Sequence, residues 1–95
     1  MIVLKLSRKS ARAKVAKLGS WTLKGNVIAR SFRFLDFGDA MRFVNGVARL
    51  AEAANHHPDI TISYNRVRLA LTTHDEGGLT EKDFKLANRI NKLKE

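Results

Sequence analysis

No cysteine occurs in this chain, so disulfides, thiolate nucleophiles and thiolate zinc sites are excluded together. That absence also fits a reducing interior. No segment approaches the roughly 20 apolar residues of a membrane span, and the run Met1-Ile2-Val3-Leu4-Lys5-Leu6 is too short for a signal peptide. The expectation is a soluble, cytoplasmic protein without a membrane partner. Acids are missing before Asp36, although Lys5, Arg8, Lys9, Arg12, Lys14, Lys17 and Lys24 precede it, and the net charge is +9. Such a field attracts polyanions without sequence preference, or it simply solubilises a helix face. No aromatic interrupts that basic segment before Trp21, which weighs against a nucleic-acid surface that stacks bases. A glycine-rich phosphate loop, repeats, linkers and low-complexity tracts are lacking too. What remains is one domain over residues 1–95, whose 44% hydrophobic content supports one modest core.

The patterning that is present predicts α-β-β-α-β-β-α. Residues 7–18 read as a helix, with Ser7 or Ser10 as cap, Ala11, Val15 and Leu18 as its stripe, and Gly19 past its end. Residues 21–24 and 27–35 read as a hairpin about Gly25-Asn26, with Ile28, Phe32 and Phe34 alternating against Ala29, Ser31 and Arg33. Arg30 falls on the apolar face, as a snorkelling side chain or half of an ion pair. Asp36 caps a long helix over 37–54 with a stripe of Phe37, Ala40, Met41, Val44, Val47, Ala48, Ala51 and Ala54. Pro58 cannot continue it. Ile60, Ile62 and Tyr64 alternate in one strand and Val67, Leu69 and Leu71 in the next, with Asn65-Arg66 as the turn. Thr80 caps a last helix over 81–94 (Phe84, Leu86, Ala87, Ile90 and Leu93 apolar), with Asp83 as reciprocal partner in a capping box. The fold class is α+β: a four-stranded, mostly antiparallel sheet with helices on one face. The other face needs polar residues or a partner.

All three histidines fall near the second hairpin, in Glu52-Ala53-Ala54-Asn55-His56-His57-Pro58-Asp59 and Thr72-Thr73-His74-Asp75. A turn at 65–66 sets His57 opposite His74 within a residue or so, gathering the imidazoles at the hairpin's open end. Adjacent histidines on extended backbone point to opposite sides, which argues against a metal. They could be hydrogen-bonding fillers at a helix–strand junction. Three together, with Glu52, Asp75 and Asp83 nearby, point instead to one acid–base site. No serine, threonine or lysine stands out beside a base as a nucleophile. Proton transfer on a small polar substrate, by dehydration or isomerisation, is the chemistry these residue types suit.

The run Glu52 to Ile60, with Tyr64-Asn65, Val67, Leu71 to Asp75, Gly78-Leu79-Thr80 and Asp83, closely resembles the pterin-4a-carbinolamine dehydratase family. Trp21, Arg30 to Phe34, Phe37, Ala40, Phe43 and Val47-Ala48 agree, so the resemblance covers roughly residues 18–92. It implies dehydration of a 4a-hydroxytetrahydropterin such as 4a-hydroxytetrahydrobiopterin to the quinonoid dihydropterin, within tetrahydrobiopterin biosynthesis. His56 and His74 would then be the acid–base pair, and His57 would orient the pterin or serve as base. Glu52 and Asp83 would steady the imidazoles or bind the pterin, and Asn55, Thr72, Thr73 and Asp75 would line the pocket. The cap offers Asp83 an alternative role. The resemblance implies no metal and no cofactor, the pterin being substrate, and a homo-oligomer, dimer or tetramer. Ile60 stands where an aromatic is common, Ser20 is inserted before Trp21, and the first helix is unusually basic. Two other readings share these residues: a basic nucleic-acid-binding or scaffold module with a vestigial pocket, and a pterin protein of another route such as molybdopterin metabolism.

Overall fold

Three polar side chains decide where the helices begin. In the computed structural model, which describes residues 3–94, Ser7 accepts from Ser10 N–H at 3.1 Å and opens α1 (Arg8–Leu18). Asp36 accepts from Asp39 N–H at 2.8 Å and opens α2 (Phe37–Ala54). Asp83 closes the capping box predicted for α3 (Glu81–Lys94) by accepting from Thr80 N–H at 2.9 Å. Met1 and Ile2, where the N-terminal apolar run begins, lie outside the described residues, as does Glu95.

Between the helices lie β1 (Thr22–Lys24), β2 (Val27–Arg33), β3 (Asp59–Ser63) and β4 (Arg66–Leu71). They form one sheet in the order β1-β2-β4-β3, every neighbouring pair antiparallel. Alternation sorts its faces. Ile28 and Phe32 of β2 and Val67, Leu69 and Leu71 of β4 are buried toward the helices. The opposite face carries Ser31, Arg33, Thr61, Ser63, Arg66 and Arg68, so polar residues occupy the side without helices. Phe43 of α2 stacks on Phe32 and Phe34 at 4.6 and 5.0 Å between ring centres, joining helix to sheet.

Several expectations require correction. The turn of the second hairpin is Tyr64-Asn65, not Asn65-Arg66, because Ser63 pairs with Arg66. Asn65 is bound to the end of β2 from both sides: its carbonyl accepts from Phe34 N–H at 2.8 Å and its amide donates to Phe34 O at 3.0 Å. That clamp holds Asn65 in the turn and leaves Tyr64 the left-handed backbone, at φ 51°. The register moves with it, so His57 and His74 are not cross-strand neighbours. In α2, Phe37, Ala48 and Ala54 face solvent, whereas Phe43 and Gly46 are buried. The observed stripe is narrower and turned toward Phe43. Every residue of β3 is exposed, including Ile60 at 37% and Ile62 at 39%. Among the described residues this edge strand pairs only with β4 and adds nothing to the core. The second strand stops at Arg33, leaving Leu35 exposed. Arg30 makes no ion pair among the described residues; it stacks on Phe32 and donates to Asn91 Oδ1 at 2.6 Å.

Asn91 also accepts from the Trp21 indole at 2.7 Å and donates to Leu18 O at 3.3 Å, tying α3 to the end of α1. Farther along α3, Leu93 rests on Gly46, where an added Cβ would lie 2.8 Å from Leu93 Cδ2. This close approach sets α3 against α2. Gly46→Leu should therefore destabilise the fold by about 1–3 kcal/mol through overpacking. The check is the urea midpoint; a variant as stable as the parent would mean that the helices part without cost.

Candidate active site

α2 ends where Asn55 adopts left-handed backbone (φ 50°, ψ 43°), a conformation asparagine tolerates better than most residues. The His56 N–H then bonds back to Ala51 O at 3.1 Å, so this histidine is fixed to the helix end. Pro58 follows and leads the chain into β3. His56 and His57 are adjacent in sequence but take different carboxylates.

His56 reaches Asp83, 27 residues away, with Nε2 at 2.6 Å from Oδ1. The His56 side chain is 11% exposed and that of Asp83 is fully buried. A buried carboxylate persists only when its oxygens are satisfied. Here Oδ2 accepts from the Thr73 hydroxyl at 2.8 Å and from Thr80 N–H at 2.9 Å. Thr73 has one hydroxyl proton and gives it to Asp83, so the 2.9 Å contact between the two threonine oxygens is filled by the proton of Thr80. Thr80 Oγ1 in turn lies 3.3 Å from Lys82 N–H. The protons all point toward the carboxylate. Because a carboxylate only accepts, Nε2 of His56 carries a proton, and in the neutral ring Nδ1 presents the lone pair. The neutral ring is thereby held in one tautomer.

His57 places Nε2 2.5 Å from Glu52 Oε2, but these side chains are 57% and 76% exposed. Water competes for both, which leaves this pair weak as a structural tie. His74 opens a single 3₁₀ turn (His74–Glu76) and is exposed, as is Asp75. Neither side chain has a hydrogen-bond partner among the described residues. Thr73, directly before His74, is held in place by a bridge to Gly78, with N–H···O distances of 3.1 and 3.3 Å. Thr72 donates to Asn26 O at 2.6 Å, a tie to the first hairpin.

The structure thus joins His56, Thr73 and Asp83 by hydrogen bonds, and Glu52 to His57. Asn55 serves the helix end, Thr72 the hairpin, and His74 with Asp75 occupies the adjoining turn. Among the described residues, no three histidine, aspartate or glutamate side chains come close enough to hold a metal ion. A cavity of about 390 Å³ opens at His56, between Ala53 and Ala54 of α2 and the face of α3 that carries Lys85 and Arg89. Neither His57 nor His74 lines it. Sequence reasoning missed two features: Thr80 as part of the network rather than a cap alone, and the α3 cations. Their spacing at positions 82, 85, 89 and 92 was the available signal.

Comparison with known proteins adds a second line of evidence. The family model described as Pterin 4 alpha carbinolamine dehydratase matches residues 4–93. A Chloroflexus aurantiacus protein, provisionally named a pterin-4-alpha-carbinolamine dehydratase, is 56% identical over 89 residues, covering 94% of this chain and 96% of its own. A Sulfurisphaera tokodaii protein with the same provisional name is 48% identical over 89 residues, with the same coverage of 94% and 96%. The crystal structure of a transcriptional coactivator/pterin dehydratase from Brucella melitensis superposes with a TM-score of 0.89 at 37% identity, covering 94% of this chain and 97% of that one.

Proposed function

This chain belongs to the pterin-4a-carbinolamine dehydratase family, and on that premise we propose that it is a hydro-lyase, removing water from a 4a-hydroxytetrahydropterin to give the quinonoid dihydropterin. The step balances without a redox partner. The C4a–O bond breaks, and its electron pair leaves with the oxygen, which takes up a proton and departs as water. The N5 lone pair forms the N5=C4a double bond, and the N5 proton passes to a base. One acid and one base suffice, each restored through solvent, and no cofactor is called for beyond the pterin as substrate.

His56 is the base in this reading, because the Asp83 carboxylate holds its Nε2–H and leaves Nδ1 free to accept. That hydrogen bond is the observation that carries the proposal. His74, exposed on the turn next to Thr73, is assigned the acid that protonates the leaving hydroxyl. His57, with Glu52, orients the pterin, and Asn55, Thr72, Thr73 and Asp75 border the bound ring. The same reading makes the protein a homo-oligomer, supported by an edge strand, β3, that is exposed along its whole length.

The decisive experiment is stopped-flow dehydration of synthetic 4a-hydroxytetrahydropterin. The protein should accelerate it well above the spontaneous rate. His74→Ala should lower kcat/KM on the order of a hundredfold, the usual worth of a positioned general acid. A wild-type rate equal to the spontaneous one would refute the dehydratase reading outright.

A further inference from the structure

The cavity at His56 has a wall that the dehydration step does not use. Lys82, Lys85, Arg89 and Lys92 recur at intervals of three, four and three residues, which places them along one face of α3, and all four line this cavity. Among the described residues no acidic side chain lines it. Among the described residues none of the four cations has a carboxylate within ion-pair distance. Glu81 is engaged by Lys14 at 2.6 Å, and Asp83 is turned inward to its own donors. Like charges at these intervals repel one another along a helix, so helix stability does not account for the stripe. A face serving solubility alone would intersperse both signs. These cations instead surround an opening that has His56 at its edge.

We propose that this cavity receives the anionic end of the substrate, a phosphate or carboxylate carried on the pterin side chain. The inference rests on the dehydratase reading and adds to it the class of substrate. The geometry suits it: Lys85 and Arg89 line the same opening as His56, so a ring held at His56 can present a short side chain to both. Arg89 can grip a phosphate or carboxylate in two-pronged fashion, and Lys85 adds a point charge.

The test compares three synthetic 4a-hydroxytetrahydropterins that differ only at the end of the side chain: neutral hydroxyl, carboxylate and phosphate monoester. At low salt the better anionic substrate should exceed the neutral one in kcat/KM by about tenfold, mostly through KM, the scale of one hydrogen bond to a charged group. A higher value for phosphate assigns a phosphate ester, and a higher value for carboxylate assigns an acid. The double variant Lys85→Gln, Arg89→Gln should bring the ratio close to one, while Lys85→Arg alone, which keeps both charges and the Arg89 fork, should keep it. Equal kcat/KM for all three substrates in the wild type overturns the inference and leaves dehydration standing. Absence of dehydration with every substrate overturns the underlying reading instead. Inhibition by a short DNA duplex far below the concentration needed of inorganic phosphate, with no preference among the substrates, overturns it in favour of a polyanion surface.

Discussion

Asp83→Ala should unfold at a much lower urea concentration than the parent, with about 3–5 kcal/mol of stability lost. Three donors converge on that carboxylate: His56 Nε2–H, the Thr73 hydroxyl and Thr80 N–H. The Thr73 and Thr80 donors would be orphaned in a buried site, where an unmade hydrogen bond costs the full desolvation of the group, and His56 would lose its partner at the cavity edge. The start of α3 loses its capping partner in the same stroke. For a small domain with roughly 5–15 kcal/mol in total, that is a large fraction. The more informative variant is Asp83→Asn, which keeps the shape but replaces one acceptor by an NH₂ donor. It should cost less stability and yet reduce kcat/KM by about 10–100-fold, as loss of an orienting partner does elsewhere. Imidazole ¹⁵N spectra separate positioning from mere support: wild-type His56 should show the proton on Nε2, and Asp83→Asn should lose that preference. Stability within about 1 kcal/mol of the parent in Asp83→Ala would show that the network carries no such weight.

His56→Ala should reduce kcat/KM for dehydration by about 10²–10⁴, the range of a positioned general base. The side chain is 11% exposed and its tautomer is set by a buried carboxylate, whereas the His57–Glu52 pair is 57% and 76% exposed. His57→Ala is therefore expected to lose no more than about tenfold, chiefly in KM, because water can replace what an exposed pair supplies. Single-turnover stopped-flow traces distinguish the two. If His56→Ala kept more than half of its kcat/KM, or if the order of the two variants were reversed, the assignment of the base would be wrong. His56→Ala also strands Asp83 Oδ1, so its melting point should be recorded to separate lost chemistry from lost fold.

The helices were legible because their signals are local. Ser7, Asp36 and the Thr80–Asp83 box lie within three residues of the groups they cap, and α2 runs from Phe37 to Ala54 as its periodicity indicates. The second hairpin was misread by one residue for a non-local reason. Left-handed backbone is normally assigned to asparagine or glycine before tyrosine, but Phe34, 31 residues away, claims both the carbonyl and the amide of Asn65. β3 looked half-buried because Ile60, Ile62 and Tyr64 alternate. Its place at the sheet edge, which no strand pattern encodes, leaves them exposed. At the site, residue type singled out the histidines with Glu52, Asp75 and Asp83 nearby, and the resemblance implied that Glu52 and Asp83 steady the imidazoles or bind the pterin. The span from His56 to Asp83 is a product of how α2 and α3 pack, which spacing alone does not reveal. The α3 cations were visible as a stripe but had no meaning until the cavity was seen beside them.

The helix-free face of the sheet has a consequence for the conditions the fold prefers. Arg33 of β2 stands directly opposite Arg66 of β4, and Arg68 follows two residues on. Like charges set across neighbouring strands oppose pairing, and the chain as a whole carries an excess of nine positive charges. Dissolved electrolyte shortens the reach of that repulsion to about 8 Å at physiological ionic strength. Dilute buffer is thus the harsher medium for this protein, and a modest concentration of counterions should tighten the sheet rather than loosen it.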